Sequence, residues 1–336
     1  MLPTIQARYS DAILHEALQR AGLPTDAAES LGGFEAHVFK LPGEVLKITH
    51  TLRRSEDTLM GEVEFINHLA DKGVSVPRAL PFTSGAFIAP IPDGHGGTFL
   101  AYRFEEARGR TTRFEDWSDT LLQSWGRLAG EMVRATADFE PSTPARRRRH
   151  WHEDPILDLR ACLSPEHAET IRCGEALLAR LRALPTTPDV YRLIHADLHP
   201  NNFFCDDAGR LTPFDFDDCE HGPTVREVSV PMYYALSRVP KGVDKAKFGE
   251  HFLVQFVRGF QQASPLHREQ LAHLPDLLLL RSLILLSVLT TYAQPDTEEG
   301  RVRWESSRRR FREQIKSNEV GLDIDFARLA RQLTSG

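Results

Sequence analysis

The stretch that most constrains this chain is HADLHPNN, from His195 to Asn202, with the short run DFDD following from Asp215 to Asp218. Six Asp stand between Leu193 and Asp218. Carboxylates this close repel one another unless a cation or a bound substrate offsets them. VYRLIHAD reads as a strand entering the loop, and NFFC and LTPF read as two more. The link between the last two, DDAGR, has the Asp and Gly of a tight turn, which is role enough for Asp206 and Asp207. A hairpin brings its two ends together. Asn202, just before it, and Asp215, just after it, are therefore expected side by side, with Asp197 facing the same spot. An amide oxygen and carboxylates converging in this way suit a hard, oxygen-preferring cation such as Mg²⁺.

The remaining sequence sets the frame. At 336 residues the chain is long enough for one sizeable core or for two lobes. A net charge of -6 argues against a general nucleic-acid binder, which needs a basic surface. The one strongly basic run, Arg146 to Arg149, is expected to be a solvated face or loop. The four cysteines contain no CxxC pair, so neither a zinc site nor a disulfide framework is signalled. MLPTIQARYS is no secretory signal, and a reducing cytoplasm is the expected compartment. LPDLLLLRSLILLSVLTTYA is the most apolar segment, but Asp276 and Arg281 interrupt it. It is expected to be a buried helix of a soluble protein, with no membrane partner.

Helical spacing begins after Ser10 and closes at Gly22. LGGFEAHVFKL and GEVLKITH read as two strands turning at Pro42-Gly43, SEDTLMGEVEFINHLADKG as a helix, and TFLAYRFEEARG as a further strand. Beyond about Arg113 helices dominate, apart from the β island around the opening stretch. The expected organisation is α+β. A small β-rich lobe covers residues 1–103, and a large, mainly helical lobe covers 104–336.

H-x-D-x-x-x-x-N followed by D-F resembles the catalytic loop and metal-binding segment of protein-kinase-like phosphotransferases. The form HADLHPNN…FDFDD is similar to the aminoglycoside phosphotransferase, choline kinase and homoserine kinase group, and DFDDCEHGP to its bacterial stress-response kinase branch. The resemblance spans roughly residues 28 to 235. It implies a two-lobed kinase fold and transfer of the γ-phosphate of ATP to a hydroxyl with Mg²⁺. It also implies Asp197 as catalytic base, His195 supporting the loop, Asn202 and Asp215 as metal ligands, and Asp217 or Asp218 at a second metal or the substrate.

Such a kinase needs a cation on the α- and β-phosphates. Only seven of the 41 basic residues are Lys, so Lys47, amid Val45, Leu46 and Ile48, is the candidate. Its expected partner is Glu62, which shares a helix face with Phe65 and Leu69. Gly32 and Gly33 stand where a phosphate-covering loop belongs, without the full G-x-G-x-x-G. Tyr102 to Glu105 occupy the connection where adenine would pair with the backbone. One position departs from the group, which carries an Asp after GP where this chain has Glu227. Thr224 and Glu227 also read as a helix capping box.

The acceptor is left open between a small molecule and a protein Ser/Thr. Glu105, Glu106, Asp218 and Glu220 could line a pocket for a cationic substrate but read better as solvated surface. A non-catalytic nucleotide-binding regulator and a zinc hydrolase using His195 and His199 are the rival classes.

Overall fold

The computed structural model describes residues 3–33, 36–292, 295 and 297–333. In chain order the strands are β1 (Glu29–Gly32), β2 (His37–Leu41), β3 (Glu44–His50), β4 (Ala79–Leu80), β5 (Ile88–Pro92) and β6 (Thr98–Glu105), then β7 (Tyr191–Ile194), β8 (Phe203–Cys205), β9 (Leu211–Pro213) and β10 (Glu220–Pro223). The longer helices are α1 (Asp11–Ala21), α2 (Glu56–Asp71), α3 (Asp119–Ala135), α4 (Ala168–Arg182) and α5 (Arg226–Ser237), followed by α6 (Lys245–Gln261), α7 (Leu274–Thr291), α8 (Glu298–Ser317) and α9 (Phe326–Leu333). Two compact units interleave along the chain. One comprises Met1–Arg110, Asp138–Arg148 and Phe203–Asp217, and the other Thr111–Ala137, Arg149–Asn202 and Asp218–Gly336.

The first unit is built on an antiparallel sheet of order β1-β2-β3-β6-β4, with β5 also paired to β6. Strand alternation decides its two faces. Leu46, Ile48, Phe99 and Ala101 point into a core shared with Ile13, Ala17 and Leu18 of α1. Lys47 and its cross-strand neighbour Tyr102 therefore share the opposite face. Helix α2 starts where Ser55 accepts a bond from the Thr58 amide (3.1 Å), and Glu56 and Asp57 complement the dipole of its first turn. Gly33 has φ of +135°, and a Cβ there would lie 2.0 Å from the Ala36 carbonyl, so the β1–β2 turn itself requires glycine. Phe34 and Glu35 of the expected phosphate-covering loop lie outside the described residues.

The expected hairpin is present, with Phe203 opposite Pro213. It belongs to the first unit rather than forming an island in the helical part. Cys205 and Arg110 exchange both backbone hydrogen bonds, at 2.9 and 3.0 Å, and the Ser75 and Thr212 hydroxyls meet at 3.0 Å. Two further features escaped the sequence reading. β5 carries Pro90 and Pro92 at exposed positions, and β10 is the segment EHGP, whose Gly and Pro look like a turn yet pair antiparallel with β7.

In the second unit α3 packs on α6. The approach is close because Gly126 and Gly259 remove side chains at the crossing. A Cβ on either would stand 1.9 Å from a carbonyl oxygen, Phe256 for one and Gln123 for the other. Helix α7 is long and apolar enough to cross a membrane by length and composition, but within this unit it packs against α4, α5 and α8 and buries Leu277 to Leu280, Leu283 and Leu286. Gly259→Ala forces this crossing apart. Equilibrium urea unfolding should show a loss of about 1–3 kcal/mol, as for overpacked cores, and an unchanged midpoint would refute the close approach.

Candidate active site

In the first unit Lys47 is the centre of a charge cluster. Its ammonium donates to Asp215 Oδ1 at 2.7 Å and to Asp217 Oδ1 at 2.9 Å. Burial works against the charge, but the two carboxylates outweigh it and hold the lysine pKa well above its ordinary value. Asp217 is itself buried, which alone would raise its pKa, yet Lys47 and Arg54 hold it well below the usual carboxylate range. The Asp217 carbonyl accepts from Arg54 Nη2 and from Arg148 Nη2, each at 2.7 Å. Phe216, between the two Asp, packs edge-on against Phe65 of α2 at 5.8 Å and is 1% exposed. The segment is thus pinned by its Phe, its carbonyl and its carboxylates together. Asp215 takes a left-handed φ of 64°, a conformation Asp tolerates better than most residues.

Glu62 turns inward from α2, whereas Glu64 bonds Ser142 and Arg146. Its hydrogen-bond partner is Arg54 Nη1 at 3.1 Å rather than the expected Lys47, because the ammonium is already held by Asp215 and Asp217. Glu62 Oε1 is buried with no hydrogen-bond partner among the described residues. Burial, with Asp217 adding to it, pushes the Glu62 carboxyl up to about 7 against the pull of Arg54 and Lys47.

Several expectations need correction. Tyr102 pairs with Lys47 on one side and Ile88 on the other, so its peptide groups lie inside the ladder and cannot pair with adenine. Its ring is buried beside Lys47 instead. The Glu105 amide is taken by the Arg78 carbonyl at 2.9 Å. The basic run is largely loop, as expected, with Arg147 exposed, but it is not simply solvated. Arg146 pairs with Glu64, Arg148 is 6% exposed on the Asp217 and Thr58 carbonyls, and Arg149 bonds Asp154. Glu220 is not solvated surface either, since it is buried against Arg226 at 2.5 Å. Glu106 pairs with Lys40.

The second unit holds the loop after β7. Asp197 Oδ2 accepts from Asn202 Nδ2 at 3.0 Å, and the same amide nitrogen donates to the Asp197 carbonyl. Both bonds use the Asn202 nitrogen, which leaves its oxygen as the group it can offer a cation. His195 is fully buried, and its Nδ1 accepts the Asp197 amide at 3.3 Å. His199 Nδ1 accepts the Asn201 amide at 3.2 Å, and burial pushes its pKa down to about 3, so it is neutral at physiological pH. Among the described residues no group of three or more His, Cys, Asp or Glu is placed to hold a metal, and a zinc centre at HADLH has no ligand set.

Ala196 has φ of 65°, a left-handed conformation costing about 1–2 kcal/mol for a residue with a Cβ. Glu227 holds it there. Its Oε1 accepts the Ala196 amide at 2.7 Å from the first turn of α5. The capping box does not form. The N-cap is Val225 with no side-chain bond, and Thr224 Oγ1 accepts from Gln270 instead. The longer carboxylate reaches the loop amide, and burial raises its pKa from 4.5 to about 7.

Arg281 was noted only as a break in an apolar helix. It donates to Asp197 Oδ1 and to the Tyr234 hydroxyl. A charge in the middle of an apolar helix was the available signal. Arg54 and Arg148 gave none, in a chain whose cations are nearly all Arg.

A protein-family model described as the APH phosphotransferase enzyme family matches residues 29–278. The chain belongs to that family. An amicoumacin kinase of Bacillus subtilis (strain 168) is 37% identical over 287 residues, 84% of this chain and 85% of its own length. Among solved structures, an amicoumacin kinase in complex with AMP-PNP, Ca²⁺ and Ami has a TM-score of 0.92 at 30% identity, over 98% of this chain and 100% of the other. A microcompartment-associated aminopropanol kinase shares the fold, with a TM-score of 0.74 at 20% identity over 92% and 98% of the two chains. The fold is therefore kinase-like, as expected. The phosphotransferase is a small-molecule kinase that uses ATP.

The raised pKa of Glu227 in the phosphotransferase gives a signed prediction. A carboxyl that ionises near 7 when folded and near 4.5 when unfolded destabilises the fold increasingly across that interval. Glu227→Gln keeps an oxygen for the Ala196 amide and does not ionise. Its stability relative to the parent should therefore rise between about pH 5 and about pH 8, by up to ~3 kcal/mol. Paired thermal melts would check this, and a difference that does not change with pH would contradict it.

Proposed function

We propose that this phosphotransferase transfers the γ-phosphate of ATP to a hydroxyl of amicoumacin or a closely similar amino-bearing small molecule, with Mg²⁺ as the cation. The observation that carries the reading is the asymmetry at Lys47. Of its two carboxylates, the Asp217 side chain is 12% exposed and the Asp215 side chain 44%. One carboxylate suffices to neutralise an ammonium. The second, turned outward on a left-handed backbone, is a hard oxygen donor suited to a divalent cation, as are Asp217 and the Asn202 amide oxygen. Bound Mg²⁺ would supply charge neutralisation on the phosphates.

The chain's own residues supply the rest in this reading. Lys47 holds the α- and β-phosphates, with Glu62 and Arg54 behind it. The Gly32-Gly33 turn covers the phosphates. The first unit is the nucleotide-binding lobe and the second carries the catalytic loop. Asp197 orients the acceptor hydroxyl and takes its proton, with His195 and Glu227 fixing the loop backbone. The choice of amicoumacin rests on the two amicoumacin kinases it resembles. Four cysteines in the thiol form are in keeping with a cytoplasmic enzyme.

The test is a panel of amicoumacin, aminopropanol, choline and an aminoglycoside, each incubated with ATP and Mg²⁺ and read by mass spectrometry. Amicoumacin should gain one phosphoryl group. Phosphorylation of another panel member alone would move the acceptor elsewhere. With the accepted substrate, Asp197→Asn should lower kcat by about 10²- to 10⁴-fold and leave ATP affinity nearly unchanged, the pattern of a group acting in the transition state. A parental rate would remove Asp197 from the mechanism.

A further inference from the structure

Helix α7 is the most apolar in the chain, and Arg281 sits in its middle at 9% exposure among buried leucines. A guanidinium taken out of water costs several kcal/mol unless it is paired, and packed hydrophobic residues often serve stability as well or better. The fold therefore does not need an arginine here. Its contacts show what it does. Nη2 donates to Asp197 Oδ1 and to the Tyr234 hydroxyl, and the guanidinium carbon lies 4.9 Å from the centre of the Tyr234 ring. Tyr234 in turn meets the His199 ring edge-on at 4.5 Å.

We propose that Arg281, braced by Tyr234, is a positioning residue that fixes the rotation of the Asp197 carboxylate. The inference rests on the reading of Asp197 as the base. Asn202 holds Oδ2 from within the loop, and Arg281 holds Oδ1 from a helix more than eighty positions away in sequence. With one oxygen held on each side, the carboxylate plane is fixed. Asn202 at 3.0 Å and His199 Nε2 at 3.4 Å both reach Oδ2, so the Arg281 contact on Oδ1 is what holds the other side of the carboxylate. A misplacement of about 1 Å at such a group costs on the order of 10²-fold in rate.

The experiment compares Arg281→Met, Arg281→Ala, Asp197→Asn and the Asp197→Asn/Arg281→Met double variant in steady-state turnover, using amicoumacin or whichever panel member accepts phosphate. Arg281→Met should melt at or above the parental temperature, keep its KM for ATP, and lose about 10²-fold in kcat. Millimolar guanidinium ion should restore part of the rate to Arg281→Ala and none to the double variant. The double variant should be no slower than Asp197→Asn, because Arg281 acts only through that carboxylate. A parental kcat in Arg281→Met with a slow Asp197→Asn would overturn the positioning role alone. So would multiplicative losses in the double variant, or a loss of ATP binding or folding in both Arg281 variants without rescue. A parental rate in Asp197→Asn would overturn the base and the positioning role together.

Discussion

A buried ammonium stays charged only if carboxylates come to it, and in this phosphotransferase the sequence brings them from far downstream. Lys47 on β3 meets Asp215 and Asp217, more than 160 positions later, because the hairpin β8–β9 belongs to the same compact unit as the sheet. Much else in that unit serves the meeting. Phe216 under Phe65 fixes the segment between the two carboxylates, and Arg54 and Arg148 close on the Asp217 carbonyl. Glu62 balances the guanidinium of Arg54. Removing one member leaves another charge buried and uncompensated, so the cluster holds together as a set.

The second unit solves a different problem, that of holding a strained loop still. Ala196 sits in a conformation its Cβ disfavours, and a buried carboxylate, Glu227, accepts its amide from the start of α5. A burial that pushes the Glu227 pKa to about 7 is a cost the fold carries for loop geometry. The same trade is visible at Arg281, a cation inside a leucine-rich helix whose contacts run to Asp197. In both places an ionisable group is buried where packing alone would choose otherwise, and in both the partner is the loop after β7.

The parts of this account that were legible beforehand share a local signature. The hairpin could be read from DDAGR between two short apolar runs, the loop after β7 was singled out by H-x-D-x-x-x-x-N, and Lys47 by the scarcity of lysine. What escaped depended on contacts distant in sequence. No pattern near Arg148 shows that it ends on the Asp217 carbonyl, and a run of four arginines ordinarily signals solvent. Thr224 and Glu227 have the spacing of a capping box, and only the approach of Ala196 draws the carboxylate away. Tyr102 was placed on the connection between lobes by position alone, and the pairing of β5 with β6 encloses it. β5 and β10 were missed because proline and glycine mask edge strands. Arg281 was the exception, visible as an anomaly but without a partner to explain it.

The central claim is that the outward carboxylate beside Lys47 serves a divalent cation. Calorimetric titration of AMP-PNP into Asp215→Asn, with and without Mg²⁺, tests it most directly. Asn tolerates the left-handed backbone at this position, so the fold should persist. The account predicts that the gain in nucleotide affinity conferred by Mg²⁺ on the parent is lost in the variant. An equal Mg²⁺-dependent gain in both proteins would contradict it.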